Sequence, residues 1–173
     1  MEYIFLAGVH GVGKSTLLHR INADCPIVYA SVSDLIRKAG KKIAASNKLT
    51  DGIDENQQLW KSELFNLSVP ESKILILDGH FSLINKDNAV ERLSFDTFAG
   101  TNMNKIILER ESPLIIKERL EKRDNVKWDI NKIMEFQKIE EEQAVSYSIQ
   151  KGIPIFIFDQ EKMYQELIDF ITV

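Results

Sequence analysis

Cysteine is nearly absent from this sequence of 173 residues, which contains only Cys25. A single thiol cannot form a disulfide within the chain and cannot by itself build a zinc site. We expect Cys25 to be a buried or half-buried thiol near a strand, without a catalytic role. The low cysteine content favours a reducing compartment, and we expect the cytosol.

Long hydrophobic runs are missing as well. The apolar run at residues 153–158 is far shorter than the ~20 residues that cross a bilayer. Glu2 stands where a signal peptide would carry cationic residues, and the first apolar run leads directly into a glycine-rich motif. We therefore expect neither a membrane segment nor a secretion signal.

The chain also lacks an excess of positive charge, because its formal net charge is −4. A general nucleic-acid binder needs a basic surface to neutralise phosphates, so this class is disfavoured. One bound nucleotide needs only a few local cations and stays compatible with this charge. The length and the 44% of hydrophobic residues predict a single domain over residues 1–173.

Short apolar segments alternate with helical stretches along the whole chain. Each short segment is almost continuously apolar, a pattern typical of strands that are buried on both faces of a parallel sheet. The helical stretches between them have the length that right-handed crossovers need. This predicts a three-layer α/β/α fold, with strands at residues 3–7, 26–30, 73–77, 104–108 and 154–158.

Several helix boundaries can be read from capping residues. Ser31 followed by Asp34 has the spacing of a capping box, and Ser112 precedes Pro113 at a first helical position. We expect one long polar helix over residues 129–150, ended by Gly152, and a last amphipathic helix over 161–171. A further helix is predicted from Asp54 to residue 67, and surface loops are predicted at 46–53, 81–88 and 124–128.

A phosphate-binding loop follows the first predicted strand. Residues 8–16 satisfy the pattern G-x-x-x-x-G-K-[ST] and lead into a helix. Glycines allow successive N–H groups to point at a polyphosphate, and the helix N-terminus adds positive potential. Lys14 would bind the β- and γ-phosphates, and Ser15 would ligate Mg²⁺. The phosphate-binding residues are therefore predicted to be Gly8, His10, Gly11, Val12, Gly13, Lys14, Ser15 and Thr16. His10 could equally be a loop residue that does not touch phosphate.

The third predicted strand ends in a carboxylate, Asp78. In open parallel sheets ligands bind at this edge, and in P-loop folds such an acid holds Mg²⁺ or its water. The alternative is an Asp-Gly turn of purely structural character. His80 lies two residues further and would face an acceptor. It could act as a general base there, but a contacting or structural role is the simpler interpretation.

A basic segment follows the fourth predicted strand. Arg119 and Arg123 are four residues apart and share one helix face, where they could clamp a transferred phosphoryl group. The alternative is a solvated helix with Glu118 and Glu121 as ion partners. Nearer the N-terminus, Arg37 could hold an acceptor phosphate or could be an exposed helical residue.

Together these motifs resemble the adenylate-kinase-like nucleoside monophosphate kinases, especially the archaeal-type adenylate kinase. The resemblance rests on residues 8–16, 33–37, 77–80, 119–124 and 152–155, and so extends over most of the chain.

The resemblance implies a five-stranded parallel sheet of order 2-3-1-4-5, ATP and Mg²⁺ as cofactors, and a nucleoside monophosphate such as AMP as acceptor. It implies an acceptor arm at about residues 31–67, including Asp34 and Arg37, and a lid at about 119–130. By the same resemblance, Lys14, Arg119 and Arg123 are the catalytic cations, and Ser15 and Asp78 position the metal.

The sequence departs from that family at two places. The segment after Arg123 contains Lys127 but no further arginine, and no arginine follows Asp78 and Gly79. Two other functions therefore stay open: a kinase of a non-nucleotide metabolite, and an ATP-binding or ATP-hydrolysing switch. In the last case the acidic helix containing Glu140, Glu141 and Glu142 could bind a protein partner, although a solvated helix face is the simpler interpretation.

Overall fold

The computed structural model describes residues 1–39, 49–50, 60–159 and 163–173. Its main sheet consists of five parallel strands in the order β2-β4-β1-β7-β8. Counted along the chain as the five predicted strands, this is the order 2-3-1-4-5, which confirms the prediction. The strands are β1 (Glu2–Ala7), β2 (Ile27–Ser31), β4 (Ile74–Gly79), β7 (Asn102–Glu109) and β8 (Ile155–Phe158).

Helices cover both faces of this sheet, as the continuous apolar strands require. One face packs against Leu35 and Ile36, Trp60 and Leu64, and the Tyr147 region. The other face packs against Leu17, Leu18 and Ile21 of the first helix and against the C-terminal helix. The three-layer α/β/α architecture is therefore confirmed. The helices are α1 (Lys14–Asp24), α2 (Val32–Lys38), α3 (residues 60–65), α4 (Pro113–Asp124), α5 (Ile130–Lys151) and α6 (Tyr164–Thr172).

The helix ends follow the predicted local signals with one difference. Pro113 opens α4, and Gly152 ends α5 with a φ of 65°. The Ser31 side chain caps α2, but it accepts its hydrogen bond from the Ser33 N–H. Asp34 forms an ion pair with Arg37 instead of completing a capping box. The predicted loop at 124–128 corresponds to the connection between α4 and α5.

The predicted surface loop at residues 81–88 is wrong in its first half. Residues Ser82–Asn85 form β5, and Ser82 and Ile84 are fully buried. This strand pairs antiparallel with β6 (Val90–Arg92) and parallel with β3 (Leu49–Thr50) in a second sheet. The strand is too short to show a clear periodicity, and its polar turn dominates the pattern. In that turn the Asn85 side chain accepts hydrogen bonds from the N–H groups of Asp87 and Ala89.

Parts of the predicted acceptor arm lie outside the described residues. These are residues 40–48 and 51–59, including the expected helix start at Asp54 and most of the predicted loop at 46–53. Residues 161–162, the start of the last predicted helix, also lie outside the described residues. Cys25 is buried beside β2, as expected, and burial raises the pKa of its thiol. None of the helices in the described part of the chain has the length and apolar content needed to cross a membrane.

Candidate active site

The phosphate loop connects the central strand β1 to α1 and has a backbone that only glycine accommodates easily. Gly8 and Gly13 have φ values of 148° and 133°. A Cβ atom at Gly13 would lie 2.6 Å from the Oε1 atom of Glu109. A side chain at this position would therefore be strained by its φ and would displace the Glu109 carboxylate. The loop also packs through Val9 and Val12 against α4 and α5.

Lys14 is the buried cation of the loop, with only 7% of its surface exposed. Its Nζ donates hydrogen bonds to the carbonyl oxygens of Gly8 and Val9, and it lies 3.5 Å from the Oδ1 atom of Asp78. Burial raises the pKa of Asp78, and the charge of Lys14 opposes this shift. The structure thus brings together the two charged groups that the separate motifs had suggested.

The hydroxyl-bearing residues Ser15 and Thr16 lie in the first turn of α1, and both are exposed. Asp78 pairs in register with Leu6 of β1 and with Ser31 of β2, near the carboxyl end of the sheet. The strand end and the loop therefore face the same edge, where ligands bind in open parallel sheets.

Arg119 contacts the phosphate loop directly. Its Nη1 donates hydrogen bonds to the carbonyl oxygens of Val12 and Gly11, and its Nη2 lies 3.1 Å from a carboxylate oxygen of Glu111. The guanidinium is thus held by partners outside its own helix turn. Of the two predicted lid arginines, this one is bonded to the phosphate loop.

Arg123 and Arg37 have different surroundings. Arg123 forms a two-bonded ion pair with its neighbour Asp124, at 2.8 and 3.1 Å. Arg37 forms an ion pair with Asp34 on the exposed face of α2. Both predicted acceptor residues of α2 therefore bind each other. Within the described residues, no hydrogen bond or ion pair joins Arg37 or Arg123 to the phosphate loop.

The two histidines of the predicted site are in contact, with their rings tilted against each other. The ring centroids of His10, in the phosphate loop, and His80, after β4, are 4.2 Å apart with an interplanar angle of 56°. The loop and the end of β4 are therefore in contact through their side chains as well as through Lys14.

Glu109 is a residue of this site that the sequence analysis missed. It ends β7, is 8% exposed, and its Oε2 atom has no hydrogen-bond partner within the described residues. Burial raises the pKa of Glu109 to about 7, while the charges of Lys14 and Arg119 oppose the shift. A signal was present, because Glu109 closes an apolar strand in the same way as Asp78 does.

Glu140 is the second missed residue, and its position corrects the interpretation of the acidic helix. It is 1% exposed and accepts hydrogen bonds from the N–H groups of Gly8 and Phe81 and from the Ser82 hydroxyl. Burial raises the pKa of Glu140, and the bonds from Ser82 and Phe81 oppose the shift. It therefore belongs to neither a solvated face nor a partner surface. The signal was its place on the buried stripe of α5, with Ile133, Phe136, Ala144 and Tyr147.

Magnesium is compatible with this donor set. Within the described residues, no group of three or more His, Cys, Asp or Glu side chains could hold a metal ion by itself. Mg²⁺ in nucleotide sites commonly takes one or two protein oxygens together with phosphates and water. Asp78 and the exposed hydroxyl of Ser15 meet that smaller requirement.

The sheet order, the glycine-rich loop and the buried lysine together define a P-loop protein with a kinase-like α/β fold. Residues 7–137 match the model of a family described as an AAA domain. Because this match spans more than half of the chain, the protein belongs to that family.

Among solved structures, a gluconokinase from Sinorhizobium meliloti 1021 is similar to this chain with a TM-score of 0.52. The alignment covers 97% of this chain and 87% of that chain at 15% sequence identity. At this identity the similarity concerns the fold. No curated protein matches the chain.

Proposed function

We propose that this protein binds ATP at residues 8–16 and transfers its γ-phosphoryl group to a small acceptor. The first candidate for the acceptor is a nucleoside monophosphate such as AMP. The observation that carries the proposal is the pair of cations on one phosphate loop. Lys14 contacts the carbonyl oxygens of Gly8 and Val9 and the carboxylate of Asp78, and Arg119 donates to the carbonyl oxygens of Gly11 and Val12.

The donor site follows from the geometry of the loop. On ATP binding, the Nζ of Lys14 would exchange the carbonyl oxygens of Gly8 and Val9 for oxygens of the β- and γ-phosphates. Its present partners are the partly buried carboxylate of Asp78 and two neutral carbonyl oxygens. The phosphates of ATP carry more negative charge than these partners and therefore compete well for Lys14. The N-terminus of α1 adds favourable potential at the same place.

Asp78 and Ser15 would hold Mg²⁺ beside the phosphates. When bound, the metal would neutralise charge on the β- and γ-phosphate oxygens. Asp78 would hold the metal directly or through water, because its carboxylate is fixed by β4 and adjoins Lys14.

The chemical step is an in-line transfer. An acceptor oxygen forms a bond to the γ-phosphorus while the bond from that phosphorus to the β–γ bridging oxygen breaks, and ADP leaves with the electron pair. Lys14, Arg119 and Arg123 would stabilise the charge on the transferred group. Arg123 must leave Asp124 to do so, and Arg37, Asp34 and His80 would bind the acceptor.

A kinase of a non-nucleotide metabolite is the second candidate function. The fold similarity to a gluconokinase favours it, as does the missing arginine after Gly79. The two candidates differ chemically at the acceptor oxygen. A phosphate acceptor is already an anion, whereas an alcohol must lose a proton during the transfer and needs a base.

The deciding experiment is transfer from γ-labelled ATP with Mg²⁺ to a panel of nucleoside monophosphates, nucleosides, sugar acids and small alcohols, resolved by product. Lys14→Ala purified in parallel controls for contaminating kinases. A labelled nucleoside diphosphate supports the first candidate, and a labelled sugar acid or alcohol supports the second. Labelled inorganic phosphate alone, unchanged by every acceptor, contradicts both and favours an ATP-hydrolysing switch.

A further inference from the structure

Glu140 joins two segments, one of which would bind the phosphoryl donor and the other the acceptor. Its Oε1 atom accepts from the Gly8 N–H at 3.3 Å and from the Phe81 N–H at 2.8 Å, and its Oε2 atom bonds to the Ser82 hydroxyl at 2.5 Å. Gly8 is the first residue of the phosphate loop. Phe81 and Ser82 follow directly after Asp78, Gly79 and His80.

The next two residues of the same helix show how unusual this environment is. Glu141 lies 3.4 Å from the Nε of Arg110, and Glu142 lies 2.8 Å from Arg92, with both carboxylates at the surface. A fully buried carboxyl group is costly unless its hydrogen bonds are satisfied, and Glu140 receives three of them. All three donors are at least 58 residues away in the chain.

Water or apolar side chains could also fill the space between the two segments. Neither would fix the directions of the Gly8 and Phe81 N–H groups at once. One carboxyl oxygen shared by Gly8 and Phe81 sets the spacing of the two segments to within a hydrogen-bond length. The same junction brings His10 and His80 into ring contact.

We propose that Glu140 is a positioning residue that holds the phosphate loop in register with the segment after β4, and so sets the donor site against the acceptor side. This inference rests on the proposed function for its catalytic consequence. Its structural part, the shared hydrogen-bond junction, stands independently of which acceptor is used.

The test compares Glu140→Ala and Glu140→Gln with the matched control Glu141→Ala, all in the full chain. The Gln side chain keeps an oxygen for Gly8 and Phe81, and its amide can donate to the Ser82 hydroxyl. Each variant is measured for kcat, for ATP affinity and for amide hydrogen exchange at Gly8 and Phe81, at a temperature at which circular dichroism shows it folded.

We expect Glu140→Ala to lower kcat by about 10²-fold, as for a loss of catalytic preorganisation, while ATP affinity changes much less. Glu140→Gln should recover most of that loss, and Glu141→Ala should match the wild type. A merely structural role would lower the melting temperature but would leave kcat of the folded protein unchanged. A folded Glu140→Ala variant with wild-type kcat and wild-type exchange at Gly8 overturns the proposal.

Two further outcomes are also decisive. If Glu140→Ala does not fold, Glu140→Leu replaces it under the same kcat and exchange criteria, because that side chain fills most of the volume but offers no acceptor to the N–H groups of Gly8 and Phe81. If the wild type phosphorylates no acceptor, the proposed function fails, and the junction is judged by exchange alone. Faster exchange at both Gly8 and Phe81 in the variant then supports it, and unchanged exchange overturns it.

Discussion

The charged residues around the phosphate loop fall into two regions with opposite behaviour. In the inner region, Lys14, Glu109 and Glu140 are buried and Asp78 is partly buried, and the partners of Lys14 and Glu140 include residues far away in the chain. In the outer region, Arg37 and Arg123 are exposed and form ion pairs with residues three and one positions away.

The difference teaches which charges are fixed and which can be redirected. Breaking a buried pair leaves an uncompensated charge, which is expensive, so the inner residues keep their geometry. The Arg37–Asp34 pair is exposed on both sides, and such pairs contribute only about 0–1 kcal/mol, so an incoming phosphate competes easily for Arg37. The Arg123 side chain is exposed, but its partner Asp124 has only 5% of its side chain exposed, so redirecting Arg123 costs more. We infer that the inner region is preorganised for the donor, whereas the outer region responds to substrate.

The strongest way to break the inner region is Lys14→Ala. We expect a loss of about 10³-fold or more in transfer or hydrolysis, because no other buried cation faces both the loop and Asp78 in the described structure. Steady-state rates with labelled ATP measure it. Lys117→Ala, an exposed lysine paired with Glu121, is the control and should retain full activity. A Lys14→Ala rate within tenfold of the wild type would contradict the donor assignment.

The comparison of Arg119 with Arg123 sharpens the boundary between the regions. Arg123→Ala should lower kcat by about 10²-fold with ATP affinity nearly unchanged, because Arg123 contacts Asp124 and not the loop. Arg119→Ala should weaken ATP binding as well, since it removes two bonds to the loop backbone. Fluorescent-nucleotide titration and transfer rates separate the two effects. Normal turnover in Arg123→Ala would remove that residue from the site.

Glu109→Gln tests how much the buried Glu109 carboxyl group lowers the free energy of unfolding. Because the pKa of Glu109 is raised from 4.5 to about 7, the folded state holds a proton that the unfolded state has lost between these values. Stability therefore falls as the pH rises through this window, by at most about 3 kcal/mol.

Above pH 7, Glu109→Gln should consequently stabilise the protein by up to that amount, and most of the gain should be missing at pH 5. Urea unfolding at pH 5 and pH 8 measures the difference, with the exposed Glu118→Gln as control. An equal gain at both pH values would show that the carboxyl group is not the cause.

The smallest effect is expected in the outer region, for Arg37→Ala. It should raise the acceptor KM by about tenfold, the value of one exposed charge-assisted contact, with ATP affinity unchanged. Lys38→Ala, on the next residue of α2, is the matched control. Unchanged acceptor kinetics in Arg37→Ala would refute its role and would place the acceptor phosphate elsewhere.

The fold was largely predictable because its determinants are local. Continuous apolar runs identified the five strands, and Pro113 and Gly152 marked helix ends through their own backbone preferences. The loop motif and the strand-terminal Asp78 could also be identified from the sequence, since each is defined within a few residues. The strand order came from the family resemblance, and the structure agrees with it.

The parts that escaped prediction depend on distant partners. Nothing near Glu140 in the sequence indicates that its hydrogen-bond donors lie at Gly8 and Phe81, and its acidic neighbours suggested solvent exposure. The strand Ser82–Asn85 is stable because it is buried between other elements, not because of its own propensity. Burial decided both cases, and a single sequence reports burial only through periodicity.

The central place of β1 in the sheet has a consequence for folding. The strand and its loop come before their partners in the chain, because β1 pairs with β4 and β7, which begin at Ile74 and Asn102. The Glu140 bond to Gly8 adds a partner 132 residues away. Such non-local contacts form late and slow the folding of a chain. The phosphate loop therefore reaches its finished geometry only when α5 has packed against it, late in folding.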